Sequence, residues 1–438
     1  MTTTFRKRIQ KSINDHNLQL ALDNNAQRRK DGRLAAFASL PDYPERRARA
    51  HAVKAEVVAR LDEYLAQFIE KATTNGILVH RAADSDEAVR IVLEIVRSSG
   101  KQVDKYTGTQ VDRYTAGTQQ VSTQLQNYTT RQLLIAKSKS MVSEEINLNH
   151  ALEAAGIRVV ETDLGEYIVQ LRGERPSHII TPAVHLRRGD VGQLFAEKLG
   201  IPYTEDIPTL TNTARKVLRE VFLTADIGLS GVNFGVAETG TLCLVTNEGN
   251  GRMCTTLPPV HIALMGIERL VPTLDDLALM LSLLPRSATG QKLSVYTSLI
   301  HSPRRPDDPD GSFERHLILL DNGRSALRHS PLAESLYCIR CGACLNACPV
   351  FRELGGHAYG SIYPGPIGSV ISGALVDPQF DYLAQASSLC GACKEACPVD
   401  IDLPGMLLRI RAGESVQRNG VKRNHSGIGL PATLKLGL

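Results

Sequence analysis

A polypeptide of 438 residues with 42% hydrophobic and 22% charged side chains is ordinary globular material, long enough for two or three domains. Its net charge of +4, with 5% aromatics and no tryptophan, gives no basis for binding nucleic acid or an anionic membrane surface. No run approaches the about 18 apolar residues of a membrane span, and the basic start (Met1–Ser12) has no apolar stretch behind it to make a secretory signal, so a cytoplasmic protein is expected.

Residues 1–75 read as an N-terminal helical segment. The first forty are polar, with two short helices. From Pro44 to Lys71, Ala48, Ala52, Val57, Leu61, Leu65 and Phe68 recur at helical spacing, Pro44 suits a first turn, and Asn75-Gly76 is a stop signal. Ile77 to His80 is a predicted strand, and Ser85 a predicted cap for a helix to about Ser98. Residues 101–133 interrupt this rhythm. Q-V-D-K-Y-T-G-T is nearly repeated as Q-V-D-R-Y-T-A-G, and the polar composition predicts a β-hairpin or flexible loop.

The alternation then resumes. Strands are predicted at 133–136, 157–161, 179–181, 232–236, 242–246, 261–264, 293–299 and 316–320. Helices are predicted at 144–155, 191–199, 213–222 and 274–284. Strand and helix alternating at this spacing predict an α/β domain, 76–325, with a largely parallel sheet. The boundary falls near Gly323 to Ser330. Residues 326–410 are short helices and cysteine loops, and 411–438 a polar tail.

Seven of the nine cysteines fall between Cys338 and Cys397. Without an export signal, a disulfide framework would be out of place; crowded cysteines then point to metal or redox chemistry. C-I-R-C-G-A-C-L-N-A-C-P, from Cys338, is the bacterial ferredoxin run C-x2-C-x2-C-x3-C-P. Cysteines at x2 intervals wrap one face of a cubane, the fourth reaches a second cluster, and the proline turns the chain away. C-G-A-C-K-E-A-C-P, from Cys390, repeats the run without its first cysteine, with Ser387 in the vacant place. Structural zinc takes C-x2-C pairs separated by a longer loop, which fits four cysteines in eleven residues poorly. Cluster 1 is therefore expected on Cys338, Cys341, Cys344 and Cys397, and cluster 2 on Cys348, Cys390 and Cys393. A serine hydroxyl is a far weaker acid than a thiol, so cluster 2 should have three cysteine ligands and be liable to become [3Fe–4S]. Cys243 reads as a small hydrophobe in a strand and Cys254 as a partly exposed loop residue. His185 and His261 read as core or turn histidines.

The α/β domain has no G-x-G-x-x-G, no P-loop, no H-E-x-x-H and no G-x-S-x-G. Its distinctive stretch is G-L-S-G-V-N-F-G-V-A-E-T-G-T-L, from Gly228 to Leu242. This is either a glycine-rich turn between strands or a possible ligand site anchored by Glu238.

Several stretches together resemble the lactate-utilisation iron–sulfur family, the B subunit of an L-lactate oxidation system. They are A-K-S-K-S-M-V-S-E-E-I (from Ala136), V-V-E-T-D-L-G-E-Y-I-V-Q-L (from Val159), G-E-R-P-S-H-I-I (from Gly173), V-A-E-T-G-T-L and both cysteine runs. The resemblance covers roughly Pro41 to Met406. It implies a lactate-utilisation α/β domain similar to the ribose-phosphate isomerase and CoA-transferase group, followed by a small α-helical ferredoxin-like domain holding two [4Fe–4S] clusters. It also implies two partners, a cysteine-rich-repeat subunit and a smaller lactate-utilisation-domain subunit. The excursion at 101–133 and the short polar segment after Leu408 depart from the family pattern. The expected function is electron transfer within a cytoplasmic complex oxidising L-lactate to pyruvate, not stand-alone dehydrogenation. The alternative is an α/β domain that is itself catalytic or binds substrate, with Glu238 in its site.

Overall fold

The computed structural model describes residues 3–114 and 132–416. A six-stranded sheet forms the centre of the α/β domain. Its strands are β1 (Leu78–Ala82), β2 (Leu134–Lys137), β3 (Arg158–Glu161), β4 (Ile227–Gly231), β7 (Val260–Gly266) and β10 (Glu314–Leu320). They lie in the order β1-β10-β7-β4-β2-β3, and every neighbouring pair is parallel. A smaller sheet, in the order β8-β5-β6-β9, holds β5 (Phe234–Val236), β6 (Thr241–Thr246), β8 (Leu270–Val271) and β9 (Tyr296–Ile300).

The period of two along β7 and β10 decides which helices cover which face. Ile262, Leu264, Ile318 and Leu320 point to one face, against Ile91, Val92, Leu148 and Leu152. Ala263, Met265, Leu317 and Leu319 point to the other, against Val57, Leu61, Leu65 and Phe68. A parallel sheet needs both faces covered, which is why these strands are apolar almost without interruption.

Several boundaries differ from those expected. The second N-terminal helix is long, His16–Ala38, and the Pro44–Lys71 helix is two, Tyr43–Ala59 and Leu61–Thr74, broken at Arg60. Asp84, not Ser85, caps the next helix, its carboxylate accepting from Glu87 N at 2.9 Å. That helix runs from Ser85 to Tyr114, so the first part of the excursion is helical and not hairpin or loop; residues 115–131 lie outside the described residues. Positive φ at Asn147 splits the predicted 144–155 helix into Met141–Glu145 and Leu148–Ala154. Residues 179–181 form a bend instead of a strand. The His178 ring takes their donors, its Nδ1 accepting from Ile180 N and Thr181 N. The helices Leu164–Arg172 and Asn250–Thr256 and the short β8 are additions to the predicted set.

The N-terminal helices are not a free-standing unit. Phe5, Leu22, Phe37, Ala50 and Val58 share one core with the cysteine-bearing helices. Arg8 Nε donates to Ala358 O, Arg47 Nε to Cys397 O and Arg33 Nη2 to Ala396 O. A buried charge network joins that core to the sheet. Arg324, fully buried, forks onto both oxygens of Glu145 at 2.8 Å and reaches Glu268 at 2.6 Å. Tyr363 Oη and Asn322 Nδ2 also donate to Glu145. Among the described residues, no helix is long and apolar enough to cross a membrane.

Candidate iron–sulfur centre

The two cysteine runs fold alike because their backbones bend at the same places. Arg340 and Gly342 flank Cys341 with φ of 59° and 73°; Leu389 and Gly391 flank Cys390 with φ of 56° and 85°. A left-handed arginine or leucine is strained, and its occurrence twice at one motif position marks a loop shaped by what it must surround. After each loop a short helix begins, Ala343–Ala347 and Ala392–Glu395. Pro349 then opens the helix Pro349–Tyr359, which Cys348 caps, its Sγ accepting from Phe351 N at 3.4 Å.

The loops bring the cysteines together in two sets. Cys338, Cys341, Cys344 and Cys397 line one cavity, whose other walls include Ile179, Ile339, Ile367, Val399 and Leu403. Cys348, Cys390 and Cys393 form the second set, each within electrostatic reach of the others.

Burial pushes the Cys397 thiol up to about 12 and the Cys393 thiol to about 11, and raises Cys341 and Cys344 as well. Left alone, such thiols stay protonated; a cationic iron centre deprotonates them outright. Backbone N–H groups already face the sulfurs. Arg340 N donates to Cys338 Sγ at 3.4 Å, Ala343 N to Cys341 and Ile367 N to Cys344. A dry cavity ringed by thiols with N–H donors aimed at them fits an iron–sulfur cluster. Cys390 differs from the rest. It is exposed, and hydrogen bonds from the Ala392 N–H and the Ser388 hydroxyl lower its pKa, so its thiol gives up the proton more readily than an ordinary cysteine.

Ser387 holds the structural place of Cys338. Its Oγ accepts from Leu389 N at 3.2 Å, the counterpart of the Arg340 bond to Cys338 Sγ. Tyr359 stands between the sets. It is fully buried, its hydroxyl has no partner, and it lies in electrostatic reach of both Cys344 and Cys348.

Glu238 lies apart from both thiol sets. It is exposed, and its Oε1 accepts from Leu274 N at 2.6 Å, so it supports the start of the helix Leu274–Ala288. The glycines around it serve packing. A Cβ on Gly228 would meet Cys254 O at 1.7 Å, and one on Gly240, at φ +69°, would meet Ala72 N at 2.4 Å. Cys254 is corrected: it is fully buried in a helix against the Thr162 hydroxyl, not a partly exposed loop residue. Cys243 is buried in β6. His261 is a core residue between Ser230 Oγ and Arg315 Nη1. His185 bonds Glu174 at 2.9 Å and packs on the His357 ring.

Sequence reasoning passed over Lys139, Arg269, Arg340 and Tyr359. Arg340 stood inside C-I-R-C, where a long cation between two ligands was a usable signal. Arg269, in G-I-E-R after a buried strand, was a weaker one.

Residues 65–320 match the LUD domain family and residues 334–401 the 4Fe-4S dicluster domain. The chain is 43% identical over 410 residues to the uncharacterized electron transport protein YkgF of Escherichia coli, covering 93% of this chain and 80% of that protein. It is 43% identical to lactate utilization protein B of Macrococcus caseolyticus, with the same coverage. It is 41% identical over 414 residues to lactate utilization protein B of Bacillus subtilis, covering 94% of this chain and 80% of that relative.

Proposed function

Because the chain belongs to the family of LUD-domain proteins with a 4Fe-4S dicluster domain, we propose that it is the electron-transfer subunit of a cytoplasmic complex oxidising L-lactate to pyruvate. One observation carries the reading: two thiol sets lie side by side, all but the exposed Cys390 in or against one apolar core, with the buried Tyr359 between them. Bound there, iron–sulfur clusters supply one-electron redox chemistry. Oxidation of lactate to pyruvate releases two electrons and two protons, and two such centres suit taking the electrons singly. The chain's own residues hold the thiolates, exclude water with Ile179, Ile339, Ile367 and Leu403, and present N–H donors to the sulfurs. Those donors favour the more reduced, more negative state of each site.

The partners in this reading are a cysteine-rich-repeat subunit and a smaller lactate-utilisation-domain subunit. The test is lactate-dependent bleaching of visible absorption under anaerobic conditions. It should occur only with both partners added. Bleaching by the chain alone would replace the carrier reading with one in which its α/β domain is catalytic.

A further inference from the structure

In an open parallel sheet, ligands settle outside the carboxyl ends of the strands where the order reverses. Here β2 leads outward to β3 on one side, and β4 leads to β7 and β10 on the other, so the reversal lies between β2 and β4. A cavity of about 360 Å³ opens at that point. Ser138, Lys139 and Ser140, directly after β2, form one wall, and Gly231, Val232 and Asn233, at the end of β4, form another. That volume is within the range of small-ligand sites.

The third wall is cationic and lies where the iron–sulfur domain packs against the sheet. Arg340, between Cys338 and Cys341, and Arg269, whose Nη1 donates to Cys338 O at 3.3 Å, both line the cavity. Both are more than nine-tenths buried, at 8% and 7% exposure. Arg340 Nε and Nη1, Arg269 Nε, Lys139 Nζ and Thr181 Oγ1 have no hydrogen-bond partner. Glu268 approaches both guanidinium groups only at 3.6 to 3.7 Å, because Arg324 holds it more tightly. The cavity's own acids are committed elsewhere: Asp163 accepts from Glu166 N and Glu248 from Leu164 N, at the start of the helix Leu164–Arg172. Glu166, 3.7 Å from Lys139, is pushed up to about 8 by burial, which leaves the lysine's charge largely unmatched. Unpartnered buried donors of one sign call for an anion.

We propose that this cavity binds a small organic carboxylate of the 2-hydroxy or 2-oxo acid class, with Lys139, Arg269 and Arg340 on the carboxylate and Ser138, Ser140 and Asn233 available to its second oxygen function. The choice of acid rests on the lactate reading; the anion site rests on the geometry. The site adjoins the first cysteine set, since Ile179 lines both cavities.

The test is calorimetric titration of the anaerobically purified holoprotein with L-lactate and pyruvate, with acetate and inorganic phosphate as further probes. Saturable binding of lactate or pyruvate at one site is expected. Lys139→Met should weaken it about tenfold or more at unchanged iron content, and ligand should alter the electron paramagnetic resonance signal of the reduced protein. Arg340→Gln should weaken binding too. Binding of phosphate alone would overturn the carboxylate assignment. Absence of anion binding, with Arg340→Gln changing only the midpoint potential, would assign the free donors to the cluster's charge and overturn the proposal. Lactate binding here without lactate-dependent reduction in the reconstituted complex would instead sink the electron-transfer reading and leave the site standing.

Discussion

The second thiol set should be the labile one. Cys348, Cys390 and Cys393 provide three thiolates, and Ser387 stands where the fourth would be. Its hydroxyl is engaged as acceptor to Leu389 N at 3.2 Å and is too weak an acid to compete as an alkoxide. Cys390 is also the one exposed cysteine of the seven, which opens this side to solvent and oxidant, whereas Cys341, Cys344 and Cys397 of the first set are buried. Air exposure should therefore lower iron from about eight to about seven per chain, with a 3Fe signal approaching one spin per chain. Iron analysis and electron paramagnetic resonance on the same sample give both numbers. Ser387→Ala should leave them unchanged, and Ser387→Cys should suppress the loss by restoring a fourth thiolate. Two equally air-stable centres in the natural chain would refute the ligand count. Iron loss confined to Ser387→Ala would make the serine a ligand.

Other outcomes follow from single residues. Arg324→Met strands the Glu145 and Glu268 carboxylates in the core and should cost about 3–5 kcal/mol in denaturant unfolding; a loss under about 1 kcal/mol would mean the network is not closed in solution. Tyr359→Phe removes a buried hydroxyl that has no partner of its own and lies in reach of both thiol sets. It should lower a midpoint potential by on the order of tens of millivolts with iron content intact, and unchanged potentials would show that the hydroxyl faces neither centre. His316 is held at about 4 by burial and by His80. The unfolded chain takes up that proton below about pH 6.5 and the folded chain does not, so stability should fall as pH drops from about 6.5 toward 4, by up to about 3 kcal/mol. His316→Gln should flatten that slope in urea unfolding measured at each pH; equal slopes would place the acid sensitivity elsewhere. Glu238→Gln keeps an acceptor for Leu274 N and should change stability by less than about 1 kcal/mol, with turnover of the complex unaffected. Abolished turnover would return Glu238 to a substrate site.

What the residues settled unaided were features encoded locally. Iron–sulfur ligation is written in the spacing of Cys338 to Cys348 and Cys390 to Cys397, because a cluster constrains neighbouring residues directly. The parallel α/β domain was legible from short, apolar, regularly spaced strands, since a sheet covered on both faces tolerates few polar positions. Where local signals competed, they misled. The strand expected at 179–181 lost its backbone donors to the His178 ring, and the helix expected over 144–155 is split by the positive φ of Asn147. The functional contents of the cavity could not be read in advance. Lys139 follows β2, Arg269 follows β7 and Arg340 sits in a cysteine loop, so only the packing of the iron–sulfur domain against the sheet makes them neighbours. Their charges have meaning there because burial removes water as a partner, and burial is a property of the assembled tertiary structure.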